Sequence, residues 1–512
     1  MLSLTPSNND LPKGEDDNTE QVEQMENKTS EVQEGGEVVN AMMNMVDDDL
    51  DSTTPASYLD SSTLPSSSET ITQMIHVVKY NFAEGGIRAR MVLKSERGEF
   101  GFTNETRQIP IYTKGVRWSP DGLCLLTNSN DNRIRLFELP QQFISNINMN
   151  LKSENMDATK SESSSSTSNV QEGTSSTTIE LDESWKPCLT VREGGCINDF
   201  CWHPCMNSSL GTNCNFLTAS TKQPVHMWDA FNGSLLNSFL VKDHMGDVDN
   251  IISVSYNGIL SKGSKIYCGL NQRICVFDAQ AGSSTSYTEI HAVEKNIIRG
   301  KTKKLNESMY ATGCYNNTIG IYDQHDNVVQ HIIQCEYGSG VNHLQFSSNG
   351  NYLFQSSRKD QRIVCWDLRN LFEPVKYFEF SRNADTNQKI NFDLDALTQL
   401  AIAGTSDGKI KIFDLEAQGK EIAQFESDAL PITMMNGTNF HPYLPYIACC
   451  TGERTYPTKY SLYESSDDED ETSESQKTAS LSSQISVDFE NYVALWEVSP
   501  YSYVSCASTV IE

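Results

Sequence analysis

The stretch Asn349–Arg369 reads NGNYLFQSSRKDQRIVCWDLR. A polar turn, Ser347–Gly350, leads into a short apolar strand (Tyr352, Leu353, Phe354), and the chain then turns sharply at Arg358, Lys359 and Asp360. A second strand, Ile363-Val364-Cys365-Trp366-Asp367, closes the unit. Two strands rich in aromatic and aliphatic residues, joined by a tight turn, read as a hairpin, half of a four-stranded antiparallel sheet. The closing strand recurs with the same pattern (aliphatic, any, aliphatic, aromatic, acid) from Ile134, Val225, Ile274, Ile319, Ile410 and Val493.

The spacing of the aromatic positions is stronger evidence than the pattern. From Trp228 to Phe277, Tyr322, Trp366 and Phe413 the steps are 49, 45, 44 and 47 residues, close to the period of about 40–45 of a WD40 blade. The first step (Phe137 to Trp228, 91 residues) and the last (Phe413 to Trp496, 83 residues) are about one period too long, and each spans a polar insertion. The expected fold is all-β, a seven-bladed WD40 β-propeller over residues 73–512. A disordered acidic N-terminal region, 1–72, precedes it, and the insertions are 140–184 and 453–490. Within the blades Trp228, Asp229, Trp366, Asp367 and Trp496 are read as structural residues of the repeat.

Charge is unevenly spread along the 512 residues. Residues 1–72 hold 16 acids and 2 bases, residues 140–184 hold 7 and 2, and residues 453–490 hold 10 and 3. These segments carry almost all of the net −29, so the ring itself is nearly neutral and the acidity does not exclude a polyanionic partner. Residues 1–72 have too few apolar side chains to offset their chain entropy, hence the expected disorder. The start lacks a basic segment followed by an apolar run, and no stretch has the ~20 apolar residues of a membrane span. The 14 cysteines are scattered, several inside strands. A soluble intracellular monomer with reduced thiols is expected. The ring is expected to close through Ile75–Tyr80, which alternates as a strand, with Tyr503–Ile511 as the competing candidate.

Catalytic signatures are missing: no Gly-rich phosphate loop, no Gly-x-Ser-x-Gly and no His-Glu-x-x-His. Cys196, Cys201, His203 and Cys205 form the nearest approach to a metal site, but their spacing matches no common zinc pattern. No enzyme, cofactor or metal is expected. The turns between second and third strands place bases on one rim of the ring: Arg133, Lys222, Arg273, Arg358, Lys359, Arg362, Lys409 and Arg454. Blade four has Asn316 and Asn317 there instead. Such bases are ordinary solubilising residues or a ring of phosphate contacts. Unpaired RNA bases also need stacking faces, for which the candidates are Tyr315, Arg358 and Phe440-His441.

Four segments depart from the generic repeat. They are Trp118–Gly122 with Thr127–Ser129, Trp202-His203-Pro204 with His226–Gly233, Ser357–Asp360 with Cys365–Arg369, and Thr386–Asp395. With the acidic loop after Gly452-Glu453-Arg454, they resemble the telomerase Cajal body protein family, over residues 112–455. The resemblance implies a non-catalytic WD40 scaffold that recognises small Cajal body RNAs of the H/ACA type and telomerase RNA. It also implies H/ACA ribonucleoprotein and telomerase proteins as partners, the cytosolic chaperonin as a folding aid, and residence in the nucleus and its Cajal bodies. The acidic run Asp467–Glu471 is expected to compete with RNA phosphates. The alternative is a protein-interaction propeller, such as a substrate receptor of a cullin-RING ubiquitin ligase, suggested by Trp366-Asp367-Leu368-Arg369. Because the usual Gly-His dipeptide is largely missing from the blades, stability is expected to lean on packing.

Overall fold

The computed structural model describes residues 71–80, 87–96, 98–101, 110–144, 182–259, 261–281, 285–291, 300–301, 309–335, 338–379, 388–417, 419–426, 433–453 and 491–510. All lie in the compact unit Glu69–Glu512. Strands β1 (Ile71–Tyr80) and β2 (Arg88–Ser95) precede the first blade. Blade one holds β3 (Thr113–Trp118), β4 (Cys124–Ser129), β5 (Arg133–Glu138) and, beyond the first insertion and the short β6 (Asp182–Trp185), β7 (Leu189–Arg192). Blade two holds β8 (Ile197–Trp202), β9 (Asn215–Ser220), β10 (Val225–Asp229) and β11 (Leu235–Phe239). Blade three holds β12 (Ser253–Tyr256), β13 (Lys265–Gly269), β14 (Arg273–Asp278) and β15 (Tyr287–His291).

After β16 (Gly300–Lys301), blade four has three strands among the described residues, β17 (Met309–Gly313), β18 (Thr318–Asp323) and β19 (Val329–Gln334). Blade five holds β20 (Val341–Phe346), β21 (Tyr352–Ser357), β22 (Arg362–Asp367) and β23 (Asn370–Glu379), with β16 alongside β20 in parallel. Blade six holds β24 (Phe392–Leu394), β25 (Leu400–Gly404), β26 (Ile410–Asp414) and β27 (Lys420–Phe425). Blade seven holds β28 (Met435–Phe440), β29 (Tyr446–Thr451), β30 (Val493–Ser499) and, from the other end of the chain, β2. Strand β31 (Tyr501–Val510) follows it. The protein is a seven-bladed propeller built almost entirely of strands.

Side chains alternate between the two faces of a strand, and here both faces are covered. In β5, Ile134 and Leu136 enter a buried cluster with Phe200, Trp202 and Phe216 of blade two. Phe137, next in the chain and on the opposite face, enters another with Val493 and Leu495 of blade seven. Among the described residues seven such clusters exist, each between two adjacent blades. The one between blades three and four is the smallest and is built from Tyr267, Ile274, Val276, Tyr310 and Tyr322.

Ring closure differs from the expectation. The strand that completes blade seven is β2, antiparallel to β30 with Ala89 opposite Val498. The two candidates pair with each other: β1 and β31 form a separate ribbon in which Ile75 faces Cys506 and Tyr80 faces Tyr501. The ribbon docks Val78 and Tyr80 into the cluster between blades six and seven. Closure is also latched from blade one. Strand β6, at the end of the first insertion, runs parallel to the free edge of β2. Its Trp185 packs on Phe137, with ring centroids 4.9 Å apart, and donates Nε1–H to the Glu138 carbonyl at 2.8 Å.

The blades are stitched sideways by polar side chains of the innermost strands. Asp393 of blade six accepts from Gln345 Nε2 of blade five at 2.8 Å and from the Phe440 amide of blade seven at 2.9 Å. Asn439 of blade seven donates to Asp393 and accepts the Trp118 amide of blade one at 2.7 Å. Arg117 donates to the Phe200 carbonyl and, at 2.8 Å, to Asp199 of blade two. Asp199 in turn accepts the Val254 amide of blade three at 3.2 Å. Beside this chain, bulges place Asn436, Lys114 and Asn198 so that each donates to a carbonyl of the next blade, on Thr113, Ile197 and Ile251.

On the opposite end of the strands His441 Nε2–H donates to the Gly122 carbonyl at 2.8 Å, while Nδ1 accepts the amides of Tyr443 and Leu444. Gly122, with φ of +76°, has no room for a side chain, because a Cβ there would meet the His441 ring. His203 sits in the same way against Gly263 of blade three. Burial pushes His203 down to about 4 and His441 down to about 3, so both rings are neutral in the fold. The unfolded chain binds these protons near 6.5, hence the unfolded state holds more protons between that value and pH 3–4. Stability therefore falls as pH drops through this window, by roughly 3–5 kcal/mol per ring. Asp395, whose carboxyl burial pushes up to about 6, opposes the trend but is one group against two.

Two outcomes are expected. The thermal midpoint falls steadily from pH 6.5 to pH 4, and the His203→Gln/His441→Gln double variant shows a flatter profile; an unchanged slope in that variant refutes the assignment. A chain starting at residue 87 unfolds cooperatively in calorimetry. One starting at residue 97, which leaves the β30 edge of blade seven unpaired, loses the cooperative transition.

Candidate nucleic-acid interface

The turns between second and third strands repeat one backbone device. In the six described ones a residue adopts the left-handed conformation: Asn132 (φ 62°), Lys222 (53°), Gln272 (66°), Asn317 (63°), Lys359 (55°) and Gly408 (80°). Asn and Gly suit this region; a lysine there costs about 1–2 kcal/mol. Lys222 and Lys359 hold it at the apex of their turns with exposed side chains, and neither has an ion pair among the described residues.

The other cations differ in how far they are neutralised. Arg273 is enclosed by Asp249 at 2.5 Å, Glu289 at 3.0 Å and the Lys242 carbonyl at 2.7 Å. These carboxylates outweigh burial and hold its guanidinium well above the usual range. Arg362 is bound by Asp360 at 2.9 Å. Lys409 lies 3.8 Å from both Asp407 and Glu426. Arg133 is half exposed, its nearest carboxylate being Asp131 at 3.8 Å. Arg454 and the acidic run Asp467–Glu471 lie outside the described residues.

Two of the expected stacking faces come together. The Arg358 guanidinium carbon sits 4.6 Å from the centroid of the Tyr315 ring, bringing blades four and five into contact at the rim. The third does not serve. Phe440 and His441 are 6% exposed, and His441 packs on Trp118 with centroids 4.7 Å apart. The metal reading gains nothing: no group of three or more His, Cys, Asp or Glu among the described residues is arranged to hold an ion. Cys196 lies instead against Lys114 Nζ at 3.0 Å, and His203 Nδ1 accepts the Cys205 amide.

The indoles of Trp228 and Trp366 donate to polar side chains, in place of the missing Gly-His relay. Trp228 donates to Thr218 Oγ1 at 2.9 Å and to Glu193 at 3.2 Å. The Glu193 carboxylate, wholly buried, also accepts from Thr218, from Ser220 at 3.0 Å and from His226 Nδ1 at 2.9 Å. These hydrogen bonds outweigh burial and lower its pKa. In blade one Arg135, 1% exposed, is held by Glu99, Asp131 and Ser129. In blade five Trp366 donates to Gln355 Oε1 at 2.8 Å, and Gln355 donates onward to Ser357. In place of the Gly-His relay a buried polar network is present, built from other residues. Asp229 accepts the amides of Phe231 and Asn232, and Asp367 is bound by Arg369.

A family model for the WD domain, G-beta repeat, matches residues 112–138 and 328–367. Telomerase Cajal body protein 1 of Bos taurus is 30% identical over 355 residues, covering 68% of this chain and 58% of that protein. Its Drosophila melanogaster homolog is 27% identical, covering 67% and 57%. Guanine nucleotide-binding protein negative regulator 1 of Schizosaccharomyces pombe is 24% identical, covering 74% of this chain and 91% of that protein. The chain thus spans less than two thirds of the length of the telomerase Cajal body proteins it matches.

Glu193 is the most testable of these residues. Replacing it by Ala removes the acceptor of Thr218, Ser220 and His226, and a loss of about 3 kcal/mol in chemical unfolding is expected. Glu193→Gln recovers part of it, whereas a neutral effect of the alanine shows the network to be dispensable.

Proposed function

Starting from a WD40-repeat scaffold homologous to the proteins named Telomerase Cajal body protein 1, we propose that this propeller binds RNA. Its ligands are small Cajal body RNAs of the H/ACA class and telomerase RNA, gripped without catalysis on the rim that carries the second-to-third-strand turns. In this reading the protein retains these particles in nuclear Cajal bodies and serves as a platform for H/ACA and telomerase proteins, and the cytosolic chaperonin assists its folding.

The observation that carries the reading is the pair of exposed lysines, Lys222 and Lys359, at left-handed turn apices of one rim. A backbone that bears a strain to present a charge is one expected to use it. Phosphate contacts from these lysines, Arg133 and Arg358 supply affinity, and unpaired bases supply choice. Trp366-Asp367-Leu368-Arg369 supports the rival receptor reading less well. Its Arg369 is spent on Asp367 at 2.7 Å and on the Tyr352 hydroxyl at 3.3 Å.

Binding to a hairpin bearing the loop of a small Cajal body RNA is expected to weaken steeply with salt. Each phosphate contact on a single strand contributes about −0.7 to the log–log slope. The Lys222→Gln/Lys359→Gln double variant loses roughly 1.4 from that slope. Equal affinity for a scrambled loop, or crosslinking in cells that recovers ubiquitin-ligase subunits and no H/ACA RNA, overturns the reading.

A further inference from the structure

The contact between blades four and five at the rim is more than a seam. We infer that Tyr315 and Arg358 form a seat for one unpaired nucleobase, which stacks on the outer face of the guanidinium. This inference rests on the RNA reading above and assigns it one point of base recognition.

The seat is built by backbone rather than left to two long side chains. Arg358 donates its amide to the Gly340 carbonyl at 2.8 Å and accepts the Ser339 amide at 2.8 Å. Val341 donates to the Cys314 carbonyl at 2.8 Å, and Asn317 Nδ2 donates to the Gly338 carbonyl. The connection 338–341 thus ties the Tyr315 turn to the Arg358 turn. Gly340 is needed there: its φ is +125°, and a Cβ would come 2.9 Å from both Cα and Cδ1 of Tyr315.

Charge distinguishes Arg358 from the other rim arginines. Arg273 and Arg362 spend their guanidinium edges on carboxylates. Arg358 has no carboxylate within ion-pair distance among the described residues, and its buried Nε has no hydrogen-bond partner. Its guanidinium carbon lies over the Tyr315 ring, itself 37% exposed. A planar cation fixed on one side by an aromatic ring offers the other side to a second π-system, and bases stack on such planes regardless of their identity. Lys359 follows directly in the chain and is exposed, placed to meet the phosphate of the seated nucleotide.

The test uses the full chain and a hairpin RNA carrying 2-aminopurine at one loop position at a time. One position is expected to be quenched on binding. Arg358→Lys keeps the charge and loses the plane, and Tyr315→Leu loses the ring and keeps the charge. Each is expected to abolish that quenching and to weaken binding about 10-fold, with the salt slope unchanged. Tyr315→Phe retains both. Unfolding midpoints near the parent value show that the variants are folded. RNA binding with no quenched position, or unaltered in both Arg358→Lys and Tyr315→Leu, overturns the seat alone. A lower salt slope in Tyr315→Leu also overturns it, since the ring carries no charge. A chain that binds no RNA at any salt overturns the RNA reading and the seat together. Capture of an acidic peptide that survives Arg358→Lys replaces the seat by a charge contact with protein.

Discussion

Main-chain ladders run within each blade but seldom between blades, so a propeller is held as a ring by what crosses its seams. In this chain the crossing is done by side chains of the innermost strands. Asp393, Asn439, Arg117 and Asp199 link blades five, six, seven, one, two and three in one run. Buried carboxylates are costly unless every lone pair finds a donor. Asp393 accepts donors from the blades at either side, and Asp199 accepts from blades one and three. The same demand fixes the angle at which blades meet, because hydrogen bonds are directional where apolar contact is not. The apolar clusters supply most of the driving force; the polar run supplies the registration.

Blade four stands apart from this arrangement. Its described sheet has three strands, and β16 runs beside β20 of blade five. Its seam with blade three is filled by tyrosines, with Tyr310 stacked on Tyr322 at 5.2 Å and beside Tyr267 at 4.8 Å. The seam with blade five compensates at the rim, where the connection 338–341 knits the two turns together. The Tyr315–Arg358 contact thus lies where the polar run is weakest and the local backbone is most constrained.

The repeat was legible because a blade is a local object. Its aromatic and acidic marks sit at fixed offsets within one hairpin, and period-2 alternation survives wherever the strand is regular. The closing strand was not legible for the converse reason. Ile75–Tyr80 alternates cleanly, whereas Arg88–Ser95 carries Arg88, Arg90 and Lys94 and a bulge between Met91 and Leu93 that breaks its period. Which strand pairs with which is decided by tertiary packing, and both ribbon strands satisfy each other first. Rim cations could be placed on their turns from sequence, but their availability could not. Arg273 and Arg133 look alike in the chain, and only the fold brings Asp249 and Glu289 to the former. Glu193 and Arg135 left a faint mark, a charge inside or beside an apolar strand, whose partners are 25 and 36 residues away in sequence.

If the rim binds RNA as proposed, the distribution of acids gives a nearly neutral ring a route to selectivity toward a polyanion. A rim with every cation exposed would bind any RNA, since phosphate contacts carry no sequence information. Asp249, Glu289, Asp360, Asp407 and Glu426 remove Arg273 and Arg362 from that pool and dilute Lys409. What is left is a few charges at strained turn apices and one stacked guanidinium, so the electrostatic term is small. A small electrostatic term lets a single base contact decide between ligands, because its energy is then a large share of the whole. In the proposed RNA reading, the internal ion pairs of the rim would act on specificity by subtraction.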